Sequence, residues 1–273
     1  MGSAALLGSA GIATGGVGLA NARSFVVSRH VLPLPGLRAP LRLAQLTDLH
    51  YGPLYGIEEV RRWVSAAMNA CPDLIVVTGD FVDRWVSPQH LNALLTELAV
   101  LRAPLGVYGV PGNHDYALPV YEGLSREAWL RSFRAALGTA GITLLVNEGR
   151  QVRSDLWLCG VDDLWKGAPD IGASLGGANP NEAVILLSHN PDLLPKVPRR
   201  VGLTLCGHTH GGQVRLPLIG ALHVPSKYGN RFSQGFSHLA TTGFVSRGLG
   251  TTGPPARLNC PAEVVLLNVL PSA

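Results

Sequence analysis

Five short polar clusters in this 273-residue sequence contain residue types that bind metal ions. They are Asp-Leu-His at 48–50, Gly-Asp at 79–80, Gly-Asn-His-Asp at 112–115, Ser-His-Asn at 188–190 and Gly-His-Thr-His at 207–210. Carboxylate, amide oxygen and neutral imidazole form a mixed oxygen and nitrogen ligand set, which suits Mn, Fe, Zn and similar divalent metals. The clusters contain no cysteine, so there is no thiolate ligand to favour zinc over the other metals. Together they predict a divalent metal site.

Each cluster taken alone also has a structural interpretation. Gly-Asp is an ordinary turn sequence, Asp-x-His recurs by chance, and Ser-His-Asn-Pro at 188–191 is compatible with a turn that begins a helix. Gly-Asn-His-Asp is more specific. Gly-His-Thr-His-Gly-Gly is also specific, because two histidines framed by glycines serve no evident packing purpose. The joint occurrence of the clusters, each after an apolar run, favours a metal-binding or catalytic role over a purely structural one.

Apolar runs precede the clusters and predict the strands that must position them. The first half alternates strand and helix patterns, which predicts a largely parallel sheet with helices packed on it. Helix patterns are weaker in the second half, which favours a second, more antiparallel sheet packed on the first. Ligands gather at the carboxyl ends of parallel strands, so we expect the clusters to converge on one crevice. The predicted strands are 41–47, 74–78, 105–110, 156–161, 183–188, 203–206, 244–246 and 264–269, and the predicted helices are 57–70, 88–101 and 125–140.

The composition favours one globular unit and argues against several classes of partner. Hydrophobic residues make up 47% of the chain, which is enough for a sizeable core. The formal net charge is +4 and no run of five Lys or Arg residues occurs, so nucleic acid is not an expected partner. Attraction to an anionic membrane surface stays open. None of the four cysteines forms a Cys-x-x-Cys pair, which argues against a zinc knuckle or a thioredoxin-type site.

The amino-terminal segment differs from the rest of the chain. Residues 1–22 carry no charged side chain and are rich in Gly, Ala, Ser and Leu. Ala-Asn-Ala at 20–22 matches the small-x-small pattern of signal cleavage, but the basic region of a signal peptide is absent. We therefore predict an arm over 1–40, either a signal or anchor remnant or a loosely packed segment, and a domain over 41–270.

The order of the clusters resembles that of the calcineurin-like metallophosphoesterase superfamily. Gly-Gly-Gln-Val-Arg-Leu-Pro at 211–217, Val-Ser-Arg-Gly-Leu-Gly at 245–250 and Val-Asp-Asp at 161–163 resemble its bacterial YaeI/YkuE-like phosphodiesterase branch. The resemblance covers 41–270 and no expected ligand position is missing. It implies the α/β metallophosphatase fold, a four-layer αββα sandwich of two mixed β-sheets flanked by helices.

The resemblance also implies two divalent metal ions, with manganese as the first expectation and iron or zinc as alternatives. His114 is then expected to act as an acid or electrostatic stabiliser, and Asp115 to orient it. Asp80 is expected to bridge the metals. The remaining ligands are Asp48, His50 and His210 for the first metal and Asn113, His189 and His208 for the second.

The activity that the resemblance implies is hydrolysis of a phosphodiester or pyrophosphate bond by metal-activated water. Some relatives of this branch act on UDP-2,3-diacylglucosamine in lipid A synthesis, so we expect a nucleotide-lipid or other phosphodiester substrate. The apolar stretch 214–228 either borders a lipid-binding or membrane-docking surface or packs in the core as a hairpin. A membrane-associated location in the bacterial cell envelope is expected, with the cytoplasm as the alternative. The competing hypotheses are a general phosphodiesterase of the envelope, a non-catalytic metal-binding module and a nuclease.

Overall fold

Two six-stranded β-sheets form the centre of the protein in a computed structural model, which describes residues 22–83, 86–118 and 123–272. The first sheet contains β1 Phe25–Leu34, β2 Leu41–Leu46, β3 Leu74–Val77, β4 Val107–Gly109, β5 Ile142–Leu144 and β14 Ala262–Pro271. The second contains β6 Glu148–Arg153, β7 Leu156–Gly160, β8 Ala183–Leu187, β9 Leu203–Cys206, β12 Gly235–His238 and β13 Thr242–Val245. A separate hairpin consists of β10 Arg215–Leu216 and β11 Gly220–Ala221.

Neighbouring strands are mostly parallel in both sheets. The first sheet has the order β1-β14-β2-β3-β4-β5, in which β2 to β5 are parallel and β14 is antiparallel to β2. The second has the order β12-β13-β9-β8-β7-β6, with antiparallel strands only at its two edges. The expected second sheet is therefore present, but its centre is parallel because crossover segments return the chain to the same end between β7, β8 and β9.

Alternation along the central strands divides their apolar side chains between two buried layers. In β3, Ile75 and Val77 pack with the helices, whereas Leu74 and Val76 pack with residues of the second sheet. The strand β8 alternates in the same way between the first sheet and a smaller outer cluster. Both central strands are buried on two faces, which explains their continuous apolar sequences.

In the part of the chain that the structure describes, four helices form the outer layers: α1 Ile57–Met68, α2 Pro88–Leu98, α3 Arg126–Thr139 and α4 Ile171–Leu175. The first three cover the first sheet, and α4 packs with a 3-10 turn on the second. Ser87 and Ser125 accept hydrogen bonds from backbone N–H groups in the first turns of α2 and α3, which explains where those helices begin. The resulting arrangement is the four-layer αββα sandwich that the resemblance implied.

The edge strand β1 lies amino-terminal to residue 41, where the sequence predicted that the domain begins. All ten of its residues pair in parallel with β14, from Phe25 opposite Ala262 to Leu34 opposite Pro271. Its sequence was hard to recognise because exposed valines, such as Val31, obscure the alternation of a half-buried strand. The strands β5, β6 and β12 were also not predicted, and the hairpin β10–β11 was expected only as one of two alternatives for 214–228. They are short or polar, and tertiary pairing defines them more than local pattern does.

The predicted signal or anchor remnant, 1–22, lies outside the described residues except for Ala22. Within the described ranges, no helix combines the length and apolar character needed to cross a bilayer.

We predict that a chain beginning at residue 41 is much less stable than one beginning at residue 22. Removal of β1 deletes the buried side chains of Leu32 and Leu34, each worth roughly 2 kcal/mol on burial, and uncovers the edge of β14. Thermal unfolding of the two purified chains measures the difference. Equal unfolding temperatures would show that β1 contributes nothing to the domain.

Candidate metal centre

Strands from both sheets end at one crevice, where the chain turns sharply. Five polar side chains there belong to residues with positive φ, a left-handed conformation that non-glycine residues rarely adopt. Such a conformation costs on the order of 1–3 kcal/mol per residue and persists only where surrounding structure enforces it. Hydrogen bonds between the strand ends enforce it here, since the N–H of Asp48 donates to Gly79 O at 3.0 Å. The five residues are Asp48, His50, Asp80, His208 and His210.

A first cluster joins the end of β2 to the end of β9. The His50 Nε2 and His210 Nε2 atoms are 3.1 Å apart, and His210 Nε2 is 3.4 Å from Asp48 Oδ1. All three side chains are buried, and their ligand-type atoms lie within 4.8 Å of one another. Two imidazole nitrogens and a carboxylate oxygen thus point at a common position, as expected of a divalent metal site.

A second cluster joins the ends of β3, β4, β8 and β9. The His189 Nε2 atom is 3.2 Å from His208 Nδ1 and 3.2 Å from Asp80 Oδ2. The adjacent Asn113 has a buried Oδ1 atom without a hydrogen-bond partner among the described residues. A buried amide oxygen without a partner is costly, and a cation in this cluster would satisfy it.

Asp80 belongs to both clusters. Its Oδ2 atom lies 3.5 Å from His50 Nε2 in the first cluster and 3.2 Å from His189 Nε2 in the second. Its other oxygen, Oδ1, accepts a hydrogen bond from the His114 N–H at 2.8 Å. One carboxylate oxygen therefore faces both clusters, while the second anchors the side chain to the loop after β4.

Backbone carbonyls set the tautomers of two histidines. The His189 Nδ1 atom lies 2.8 Å from Thr78 O, and His210 Nδ1 lies 3.3 Å from Gly250 O. When Nδ1–H donates to a carbonyl, the lone pair of Nε2 is left for a metal. The structure therefore directs the Nε2 atoms of these residues into the crevice, on the side where a metal would bind.

Burial and charge determine the protonation of the crevice. Burial lowers the pKa of His50 to about 4 and that of His208 to about 3, so both imidazoles are neutral at physiological pH. Burial opposes a charge on His189 as well, but the Asp80 carboxylate outweighs it and raises its pKa to about 10. A metal bound between Asp80 and His189 would displace this proton, so binding is coupled to proton release.

His114 lies at the edge of the crevice and is held by Asp83, a carboxylate that no sequence motif indicated. Its Nδ1 atom is 3.3 Å from Asp83 Oδ1, and its ring is perpendicular to that of His50 at a centroid distance of 4.6 Å. The expected orienting residue was Asp115, but its carboxylate instead accepts the N–H groups of Asp80, Phe81, Val82 and Gly112. Asp115 therefore holds the loop that carries Asp80. The only sequence signal for Asp83 was its position three residues after Asp80.

Two glycines allow the loops to approach one another closely. A Cβ atom on Gly112 would overlap the side chain of Asp80, and one on Gly207 would overlap Thr47 and Asp48. The glycines of the two most specific motifs are therefore required by close packing of the crevice.

Arg257 holds the loop behind His210, and no sequence motif indicated this role. Its guanidinium is fully buried and donates hydrogen bonds to the carbonyls of Arg247, Gly250 and Cys260 at 2.8, 2.6 and 3.1 Å. The Gly250 carbonyl is the one that faces His210 Nδ1. Arg257 thus fixes the loop that orients a predicted ligand, although it lies 47 residues beyond His210 in a loop without a recognisable motif.

With this geometry established, comparison with known proteins identifies the family. The family model for calcineurin-like phosphoesterases matches residues 41–212. The chain belongs to this family, and it is a metallophosphoesterase, a hydrolase of phosphoester bonds. The family and the two clusters that share Asp80 support a centre of two divalent metals.

Several relatives and one solved structure are similar over most of the chain. The metallophosphoesterase YkuE of Bacillus subtilis is 31% identical over 84% of this chain and 78% of its own length. A metallophosphoesterase of Aquifex aeolicus is 32% identical over 84% of this chain and 85% of its own length. A dimetal phosphatase from Danio rerio shares the fold, with a TM-score of 0.50 and 13% identity over 80% of this chain and 90% of its own.

We predict that Arg257→Met lowers both stability and metal retention. The substitution leaves several buried carbonyls without a donor, each at a cost of about 1–3 kcal/mol, and frees the loop behind His210. Thermal unfolding and metal analysis of the purified variant measure the two effects. Arg131→Met, which alters an exposed arginine on α3, is the control and should change stability by less than about 0.5 kcal/mol. Wild-type unfolding and metal content in the Arg257 variant would contradict the supporting role.

Proposed function

We propose that this metallophosphoesterase hydrolyses a phosphodiester or pyrophosphate bond at a centre of two metals shared by Asp80. The observation that carries the proposal is the position of Asp80 Oδ2, within 3.5 Å of a histidine nitrogen in each cluster. A shared carboxylate oxygen sets a short separation between two cations, as in known two-metal phosphoesterase sites.

In this proposal each cluster supplies three ligands of its own in addition to the shared Asp80. Bound there, two divalent metals would polarise the phosphoryl oxygens and lower the pKa of water, which supplies the nucleophile. Manganese is the proposed metal, because the donors are oxygen and imidazole nitrogen without thiolate, and iron and zinc fit the same donors. Asp48, His50 and His210 would hold the first metal, Asn113, His189 and His208 the second, and Asp80 both.

His114 is the proposed acid for the departing oxygen. Burial opposes its charged form, but the Asp83 and Asp80 carboxylates outweigh burial and raise its pKa above the usual value, which favours the protonated form that an acid needs. Its side chain is 15% exposed, which leaves room for an ester group at the crevice edge. Asp83 holds the Nδ1 side, so the Nε2 side would face the substrate and donate the proton.

We predict different defects for the bridging and acid residues. Asp80→Ala should lose metal and nearly all activity, because both clusters lose a shared ligand. His114→Ala should retain metal while kcat falls by about 10²–10⁴-fold. Metal analysis and the hydrolysis of bis-nitrophenyl phosphate distinguish the two. Glu58→Ala on the exposed face of α1 is the control. Full metal content and rate in the Asp80 variant would exclude a bridging role.

The substrate class is proposed from the walls of the crevice. A largely apolar cavity of about 350 Å³ borders His210 and extends to Leu222, Pro225 and Pro254. Such a cavity accommodates an acyl chain better than a free phosphate. UDP-2,3-diacylglucosamine, a nucleotide-lipid with a pyrophosphate bond, is therefore the substrate we propose to test first. Nitrophenyl phosphate, a monoester, tests the less favoured activity.

The hairpin β10–β11 offers a surface for peripheral membrane contact. Leu218 and Ile219 at its tip, and Leu222 directly after β11, are exposed rather than packed in the core. Lys227 and Arg231 are exposed in the segment that follows. The charges of Lys227 and Arg231 complement an anionic lipid surface. We propose that the tip inserts shallowly into the membrane of the cell envelope, beside the cavity.

We predict that replacing both Leu218 and Ile219 with serine weakens binding to vesicles of equal parts phosphatidylcholine and phosphatidylglycerol by about ten-fold or more. Cleavage of the lipid substrate should fall with it, while hydrolysis of bis-nitrophenyl phosphate is retained. Val31→Ser removes an exposed apolar side chain from β1 and is the matched control. Unchanged vesicle binding, or equal loss on both substrates, would exclude a membrane role for the hairpin.

A further inference from the structure

The loop after β7 presents a large aromatic side chain to the second cluster. The Trp165 indole is 51% exposed, and its ring stands at 89° to the His208 ring with 4.2 Å between the centroids. Among the described residues, His208 is the one aromatic ring that packs against it. An exposed indole beside a proposed metal ligand does not contribute to the core, so its position requires another explanation.

Buried carboxylates hold this loop in place. The Oδ1 atom of Asp163 accepts the N–H groups of Trp165 and Lys166 at 2.9 and 2.7 Å, and its carbonyl accepts the N–H of Gly167 at 3.0 Å. Asp162 accepts the N–H of Ala168 at 3.0 Å, and both aspartates are only 1% exposed. The backbone on each side of Trp165 is therefore fixed, which presents the indole in one position at little entropic cost on binding.

The indole is placed to meet one ester group of a substrate. His208 contacts it by ring packing and directs Nδ1 towards the second cluster, so a phosphoryl group bound there would carry an ester group past the indole. Because His208 packs edge-on, a planar ring has room to stack on the remaining exposed surface. Lys166 is exposed beside it and would favour a further phosphate.

We propose that Trp165 is a specificity-determining residue that stacks on a nucleobase carried by the substrate. The inference rests on the proposed function and narrows it to nucleotide-containing diesters or pyrophosphates. Stacking of a base on an aromatic side chain contributes measurably to binding affinity, and it tolerates any base because every base has a flat aromatic face. Trp165 thus recognises the nucleoside part, while the metal clusters bind the phosphoryl group.

Two ligands that differ only in the base test the inference. Adenosine monophosphate and ribose phosphate are compared as inhibitors of bis-nitrophenyl phosphate hydrolysis, and by equilibrium dialysis on the metal-loaded protein. In the wild type we expect the nucleotide to bind roughly ten-fold more tightly than the sugar phosphate. Trp165→Ala should reduce this ratio to about one through loss of nucleotide affinity alone, and Trp165→Phe should retain most of it.

Lys166→Ala is the matched control in the same loop. It removes a charge but no ring, so it should weaken both ligands equally and leave the ratio unchanged. An unchanged ratio in Trp165→Ala would overturn the inference, as would loss of vesicle binding in that variant without any change in the ratio. The dialysis arm does not need turnover, so absence of hydrolysis with every metal would count against the proposed function alone.

Discussion

A single carboxylate oxygen shared by two histidine clusters is the constraint on which the rest of this structure depends. Asp80 Oδ2 can face both His50 and His189 only if strands of two different sheets end within a few ångströms of each other. Two packed sheets with parallel centres satisfy that condition, because their carboxyl ends open on the same side. The four-layer sandwich is therefore the frame that brings oxygen and nitrogen donors from distant segments together.

Hydrogen bonds around the clusters offset the free-energy cost of this arrangement. Five of the donors have left-handed backbones, and several are charged or polar groups without access to water. Asp115 offsets part of the cost by binding four N–H groups around Asp80, and Arg257 does so by binding carbonyls behind His210. Buried groups that never touch a substrate thus determine the positions of those proposed to do so.

The same crevice is bordered by two surfaces of different character. On the His210 side, an apolar cavity continues towards the exposed hairpin tip. On the His208 side, an indole stands on a rigid loop next to a lysine. A phosphoryl group between them would have one apolar and one aromatic neighbour, which suits the proposed nucleotide-lipid substrate. The membrane contact and the base-stacking proposal are thus mutually consistent, although each rests on separate observations.

The α/β class and most of the central strands and helices could be predicted from local periodicity in the sequence, whereas the four-layer sandwich and the ligand assignments were implied by the resemblance of its short motifs to a known family. The sequence did not reveal β1, whose exposed valines obscure its alternation, nor Asp83 and Arg257, which belong to no distinctive motif. Their roles depend on contacts between segments far apart in the chain, or on which of two nearby carboxylates reaches His114. These roles could be seen only in the folded protein, because hydrogen-bond geometry in a packed crevice depends on how all the loops fit together.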